Sequence, residues 1–306
     1  MIWVVLTIAA SLAAGAGAER RAGERASALA RRLLKILLYG FTPPVAFLNI
    51  AHLRVTADVG VGILLGWLAL ALAGVVAWLL GRYVLRLARP STGVLVNISM
   101  QGNTSYLGFP LCAALLGAQH LPEAIAYDAF VQAPVFLLGV FGVAAAMGTK
   151  AGETPAERLR AFLLRNPVLL AVAAGLLVPD ALAPDALVRI SHVIVFAALP
   201  WGFFCAGVIV AEHLQAGRVI ARPRLEKRDG AAVLMRLVLA PLLLVLLAAP
   251  FIDLPPGYLV AAATPAGING LTVAHAYGLD LRYAASGLAW TTGFGIAAMA
   301  ALALAV

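Results

Sequence analysis

The sequence predicts an all-α integral membrane protein with ten transmembrane helices, on three observations. Of its 306 residues, 63% are hydrophobic and only 12% charged, against about half and a quarter in an average soluble domain. Apolar runs of about 20 residues recur along the chain, the length a helix needs to cross a bilayer, whereas barrel strands would be shorter and alternate. The polar stretches between the runs stay under about 25 residues, too short for an independent soluble core.

The ten segments, in order, cover 2–18, 33–52, 59–80, 92–118, 124–148, 166–179, 187–211, 231–252, 258–277 and 283–306. The first ends in small residues, "AGAGAE", as a signal peptide would. No basic residue precedes its apolar stretch, however, and a basic cluster follows it. That order is the reverse of a secretory signal and predicts a true span with its N-terminus outside. The sixth segment is the shortest. Cys112 and Cys205 both fall in apolar segments, as small buried thiols do, rather than in a disulfide or metal-ligand spacing.

Charge tests the count. The net charge is +8. Arg20, Arg21, Arg25, Arg31, Arg32 and Lys35 follow segment 1, and Arg82, Arg86 and Arg89 follow segment 3. Lys150, Arg158, Arg160 and Arg165 follow segment 5. Arg218, Arg222, Arg224, Lys227, Arg228 and Arg236 surround the start of segment 8, and Arg282 follows segment 9. Of the 22 Lys and Arg residues, only Arg54 and Arg189 lie on the other side. By the positive-inside rule the crowded side is cytoplasmic and both termini lie outside it. The charge therefore sets orientation rather than marking a nucleic-acid partner. The expected location is a bacterial-type inner membrane, multi-pass.

Ten spans divide into five plus five of opposite topology: a first repeat over 1–148, a cytoplasmic linker over 149–165 and a second, inverted repeat over 166–306. Segments 2 and 7 each carry mid-segment proline, Pro43–Pro44 and Pro200. Segments 4 and 9 match better. Segment 4 reads "QGNTSYLGFPLCAALLG" and segment 9 "ATPAGINGLTVAHAYG". Asn103 lies 14 residues before Gly117, and Pro265 lies 13 before Gly278. Gly102, Pro110, Pro265 and Gly267 are the expected helix breaks, because Gly and Pro interrupt the backbone ladder. Freed backbone groups cannot face lipid. Paired interruptions in equivalent spans of two repeats point to a transporter's midplane binding site.

"GNTSYLGFPL" and "TPAGINGLTVAHAYG" resemble segments 4 and 9 of the auxin efflux carrier family, which includes plant PIN proteins and bacterial malate and malonate permeases. The fold is shared with the bile acid:sodium symporters. The resemblance implies two inverted five-helix repeats with helices 4 and 9 crossing. It implies a scaffold of helices 1, 2, 6 and 7 and a transport part of helices 3–5 and 8–10. It further implies organic-anion transport by an elevator movement, substrate contacts at Asn103 and Asn269, and a homodimer. The single proline in "ATPAGI", where many members show two, is a departure that bears on pocket shape.

The spans show no obvious interior Lys or Arg, since Lys35 and Arg236 read as snorkelling residues near cytoplasmic ends. An anion would then rest on half-helix N-termini. Asn103 or Thr104 would cap the half-helix running to Gly117, and Thr264 before Pro265 reads as N-cap then N1. Gln101, Ser105 and Asn269 would add side-chain partners. The plainer role of Asn103 and Asn269 is to satisfy the broken backbone. Asp128, with Gln132 on the same face at i+4, and His275 are candidate coupling residues. Each also has a plainer reading, as an interfacial or structural residue. No cofactor or metal ligand set is expected, and proton and sodium coupling both stay open.

These readings favour a secondary carrier of small organic anions. The alternatives are a sodium-coupled symporter of the bile-acid type and a membrane ligand sensor on a carrier fold. An enzyme is not expected, because neither a phosphate loop nor H-E-x-x-H is present.

Overall fold

The computed structural model describes residues 2–36, 40–51, 57–149, 167–178, 182–216, 225–267 and 269–305. Among these the chain is all-helical, and its one β-type feature is an isolated antiparallel bridge between Gly102 and Ala266. The predicted linker, from residue 150 onward, lies outside the described residues.

The helices begin and end where the sequence supplies punctuation. Helix α1 (Ile2–Ala22) bends at Gly23, whose φ of +49° suits a residue without Cβ. It continues as α2 (Glu24–Ile36), which starts nine residues before the apolar segment at 33 and carries Arg25, Arg31 and Arg32 on an exposed face. Burial of Ala26 and Ala30 on the other face explains that early start. Next come α3 (Thr42–Ala51) and α4 (Ala57–Leu79). Helix α5 (Arg89–Met100) opens on Pro90 in its first turn, where a missing N–H costs nothing.

After the first break come α6 (Phe109–Leu116), α7 (Leu121–Tyr127) and α8 (Phe141–Met147). The second half holds α9 (Pro167–Leu177), α10 (Asp185–Ala216), α11 (Lys227–Val233) and α12 (Ala240–Ala248). It closes with α13 (Pro256–Ala262), α14 (Asn269–Tyr277) and α15 (Leu281–Ala305). Helix α11 starts on a reciprocal capping box between Glu226 and Asp229. Helices α6 and α14 end at Gly117 and Gly278, both left-handed (φ +93° and +67°).

Among the described residues, wide π-helical turns interrupt these runs at Leu80–Val84, Thr104–Gly108, Asp128–Gln132, Val135–Val140 and Leu234–Leu239. Those at 104–108, 128–132 and 234–239 each end two residues before a proline, Pro110, Pro134 and Pro241. A widened turn moves the preceding carbonyl away from the proline ring. Pro110 is therefore not a break, contrary to expectation. It sits in the first turn of α6, continuous with the π turn.

Among the described residues, two helix runs, 58–84 and 227–248, are long and apolar enough to cross a membrane by length and composition. Helices α1, α2, α3, α9 and α10 pack mainly on one another, with α1 lying along α10 and α3 along α9. The remaining helices form a second packed group that includes α4 against α5 and α12. Within it are two apolar clusters. One includes Leu70, Cys112, Leu244 and the pair Tyr127 and Tyr258, edge to face at 5.4 Å. The other includes Leu95, Ile98, Val273 and Tyr283.

Candidate functional site

The first break begins where α5 stops. Gln101 is extended (φ −109°, ψ 112°), Gly102 follows, and Asn103 stands at the N-cap position of the next helical run. The second break begins at residue 263, after α13, and its described part runs to residue 267. The two extended pieces bond to each other. The Asn103 N–H donates to the Pro265 carbonyl at 2.8 Å, and the Gly267 N–H donates to the Gln101 carbonyl at 3.0 Å. Each interruption thus supplies part of the backbone satisfaction the other lacks, as a non-aqueous interior requires.

Side chains complete the remainder. Gln132 accepts from the Gly102 N–H at 3.1 Å and donates to the Met100 carbonyl at 3.1 Å. The Thr291 hydroxyl accepts from the Ala266 N–H at 3.3 Å and donates to the Gly287 carbonyl at 2.7 Å. Thr264, fully buried, donates its hydroxyl to the Ala261 carbonyl at 2.8 Å. It does not begin a helix as expected. Thr264 and Pro265 lie outside any helix, and α14 starts at Asn269.

Arg236 corrects the sequence reading most sharply. It is not a snorkelling residue: none of it is exposed. Its Nε donates to the Thr264 carbonyl at 2.8 Å, Nη2 to the Ala262 carbonyl at 2.9 Å, and Nη1 to the Ser99 carbonyl at 3.4 Å. Nη2 also reaches the Thr264 hydroxyl at 3.4 Å. Among the described residues it forms no ion pair with a carboxylate. A guanidinium suits this task because its planar fork carries five donors and stays charged. The missed signal was depth. Arg236 lies nine residues beyond Lys227, roughly 13 Å along a helix, too deep for the interface. Gly102 is required beside it, because a Cβ there would collide with Nη2 and lie 2.6 Å from the Thr264 hydroxyl.

On the side of the first break leading into α6, the buried Asp128 carboxylate accepts from the Thr104 hydroxyl and, at 2.8 Å, from the Ser105 hydroxyl. Asp128 and Gln132 are the ends of one π turn. That turn therefore carries both a carboxylate and an amide to the break.

The remaining predicted residues are distributed unevenly. Gln101, Asn103 and Thr104 are buried at the crossing and Ser105 is half-buried. Asn103 makes no side-chain capping bond, and its carbonyl accepts from the Leu107 and Gly108 N–H groups. Asn269 is exposed at the start of α14. His275 lies in α14, with its side chain outside the described residues. Pro265 is buried against α15, where a Cβ on Gly295 would come within 2.7 Å of its ring. Among the described residues no group of three or more His, Cys, Asp or Glu could hold a metal. Cys112 and Cys205 are buried and unpaired as disulfides.

Known proteins resemble part of the chain. A family model described as "Membrane transport protein" matches residues 163–303, which contain the second break and Arg236. An uncharacterized transporter of Methanocaldococcus jannaschii is 28% identical over 116 residues, which is 37% of this chain and 37% of that protein. The aligned part thus spans well under two thirds of that relative. Over residues 163–303, which carry the second of the two breaks that bond to each other, the chain is similar to membrane transport proteins.

Proposed function

We propose that this protein is a transporter of the auxin efflux carrier family, a secondary carrier of small organic anions such as carboxylates, and that the anion binds where the two broken helices cross. The observation that carries this reading is the buried guanidinium of Arg236, which stands at the crossing without a carboxylate partner among the described residues. A positive charge in a low-dielectric interior attracts an anion strongly. The N-terminal ends of the helical runs starting at Thr104 and Asn269 add partial positive charge in the same place. Gln101, Asn103, Thr104, Ser105, Thr264, Pro265 and Asn269 are the proposed substrate-binding residues. Asp128, held by two hydroxyls, with Gln132 and His275, is the proposed coupling group.

The separation of helix contacts into two groups supports an elevator-type movement, with α1–α3, α9 and α10 as scaffold and the rest as the moving part. In this reading the protein is a homodimer in a bacterial-type inner membrane, with both termini on the non-cytoplasmic side.

Uptake of labelled mono- and dicarboxylates into proteoliposomes, with and without pH or sodium gradients, tests the proposal. Asn103→Ala and Asn269→Ala are expected to lower uptake at least tenfold in folded protein. Unchanged affinity and rate in both variants would remove the crossing as the site. Ligand binding without net flux would make the protein a sensor instead. Asp128→Asn is expected to abolish the part of uptake that depends on a proton gradient.

A further inference from the structure

The backbone donors and acceptors at the crossing are provided for, yet one side chain next to it is not. Asn97 sits one turn before the first break and is 4% exposed, and both its amide atoms, Oδ1 and Nδ2, lack a hydrogen-bond partner. Leaving a buried amide unpaired costs several kcal/mol in the worst case, and a native structure rarely tolerates it without a ligand or a water. Asn97 lines a cavity of about 20 Å³ together with Gln101 and Gly267 from the breaks, Gly270 from the first turn of α14, and Ala284 and Leu288 from α15. That volume holds about one water molecule.

The chemistry of the unpaired atoms selects the ligand. Oδ1 needs a donor and Nδ2 an acceptor. A metal cation accepts no hydrogen bond, and a carboxylate donates none. The Arg236 guanidinium, bonded through Ser99 to the same end of α5, disfavours a cation further. A hydroxyl oxygen does both jobs. We propose that Asn97 and this cavity form a second polar site, on the cytoplasmic flank of the crossing and separate from Asp128, whose ligand is a single ordered water. The flank follows from the chain: Asn97 belongs to the half of segment 4 that starts in the basic loop around Arg89. The water hydrates the crossing from the cytoplasmic side, where Gln101 and Gly267 are joined by their backbone bond. It keeps polar the flank that a carrier must open toward the cytoplasm.

The test uses the full-length protein without added solute and does not depend on what it transports. A high-resolution density map should show an ordered water within hydrogen-bond reach of both Asn97 amide atoms, absent from Asn97→Leu. The near-isosteric Asn97→Leu should unfold at the same temperature as wild type or below it, because it exchanges a satisfied amide and its water for an apolar group. An empty pocket in the wild type would overturn the proposal. A clear rise in the unfolding temperature of Asn97→Leu would do so too, because it would mean the amide had been unpaired. Density that appears only when sodium is supplied would also overturn it, replacing the water with a cation.

Discussion

The two breaks share one backbone plan and are completed with different chemistry. Each gives one N–H and one carbonyl to the bridge between them. Each leaves a central N–H, that of Gly102 or of Ala266, which donates to a side chain on a neighbouring helix, Gln132 or Thr291. The first break adds a carboxylate held by two hydroxyls, and the second adds a guanidinium held by carbonyls. What a membrane interior demands is a partner at a fixed place, and several residue types meet that demand. The charge difference between the breaks goes beyond this requirement, so it is where the two halves have room to differ in function.

Removing the guanidinium should break the comparison most severely. Arg236→Met strips partners from the Thr264, Ala262 and Ser99 carbonyls at once. Each buried carbonyl left without a partner costs about 1–3 kcal/mol, enough together to lose most folded protein. Arg236→Lys should rescue little, because an ammonium cannot span three carbonyls in the fixed plane of a fork. The yield of monodisperse protein in detergent and its thermal unfolding measure both variants. Wild-type stability in Arg236→Met would show that the second break does not need its cation.

The first break should lose less. Gln132→Leu leaves the Gly102 N–H and the Met100 carbonyl without the amide that serves both. Each unsatisfied buried group costs about 1–3 kcal/mol. The variant should fold, melt at lower temperature and exchange the Gly102 amide hydrogen faster than wild type. Unchanged exchange at Gly102 would mean that the amide is not its partner.

Glycine sharpens the contrast. A Cβ on Gly102 meets an arginine and a threonine that are both held by several bonds, whereas one on Gly267 lies 2.9 Å from the Gln101 amide end and the Gly102 carbonyl. Overpacking costs about 1–3 kcal/mol. Gly102→Ala should fall toward the upper end of that range and Gly267→Ala toward the lower, since the collision at Gly102 is the closer one, whereas at Gly267 the Gln101 side chain can turn aside and the Gly102 carbonyl need shift only slightly. Equal unfolding temperatures would show that the space around the two breaks is equally yielding.

These residues also show what the sequence made legible. The breaks were visible because Gly102, Pro265 and Gly267 are helix breakers in apolar runs, and their matched distances to Gly117 and Gly278 made them a pair. Burial of Gln101, Asn103 and Thr104 follows from the same reading. Pro110 misled because a proline signals a break, whereas a π turn ahead of it lets the helix run on. Arg236 and Thr291 were missed for another reason. Their partners are carbonyls and an N–H 25 or more residues away, so no local spacing announces them. Asn97 is an ordinary polar residue until its neighbours are in place and none of them bonds to it.

The smallest expected effect lies at the other central N–H. Thr291→Val keeps the shape of the side chain and removes the hydroxyl that accepts from Ala266 at 3.3 Å. One buried N–H is then left unpaired, where Gln132→Leu strands two groups, so the loss should be about half as large, roughly 1 kcal/mol. The hydroxyl's own bond to the Gly287 carbonyl, at 2.7 Å, matters little, because that carbonyl lies inside α15 and keeps the helix ladder. Thr291→Ser should restore most of the stability by restoring the acceptor. Unfolding temperatures of the three proteins settle the ranking. If Thr291→Val costs as much as Gln132→Leu, the breaks are equally dependent on side-chain closure. The larger cost of losing Arg236 would then belong to its charge rather than to the geometry of the second break.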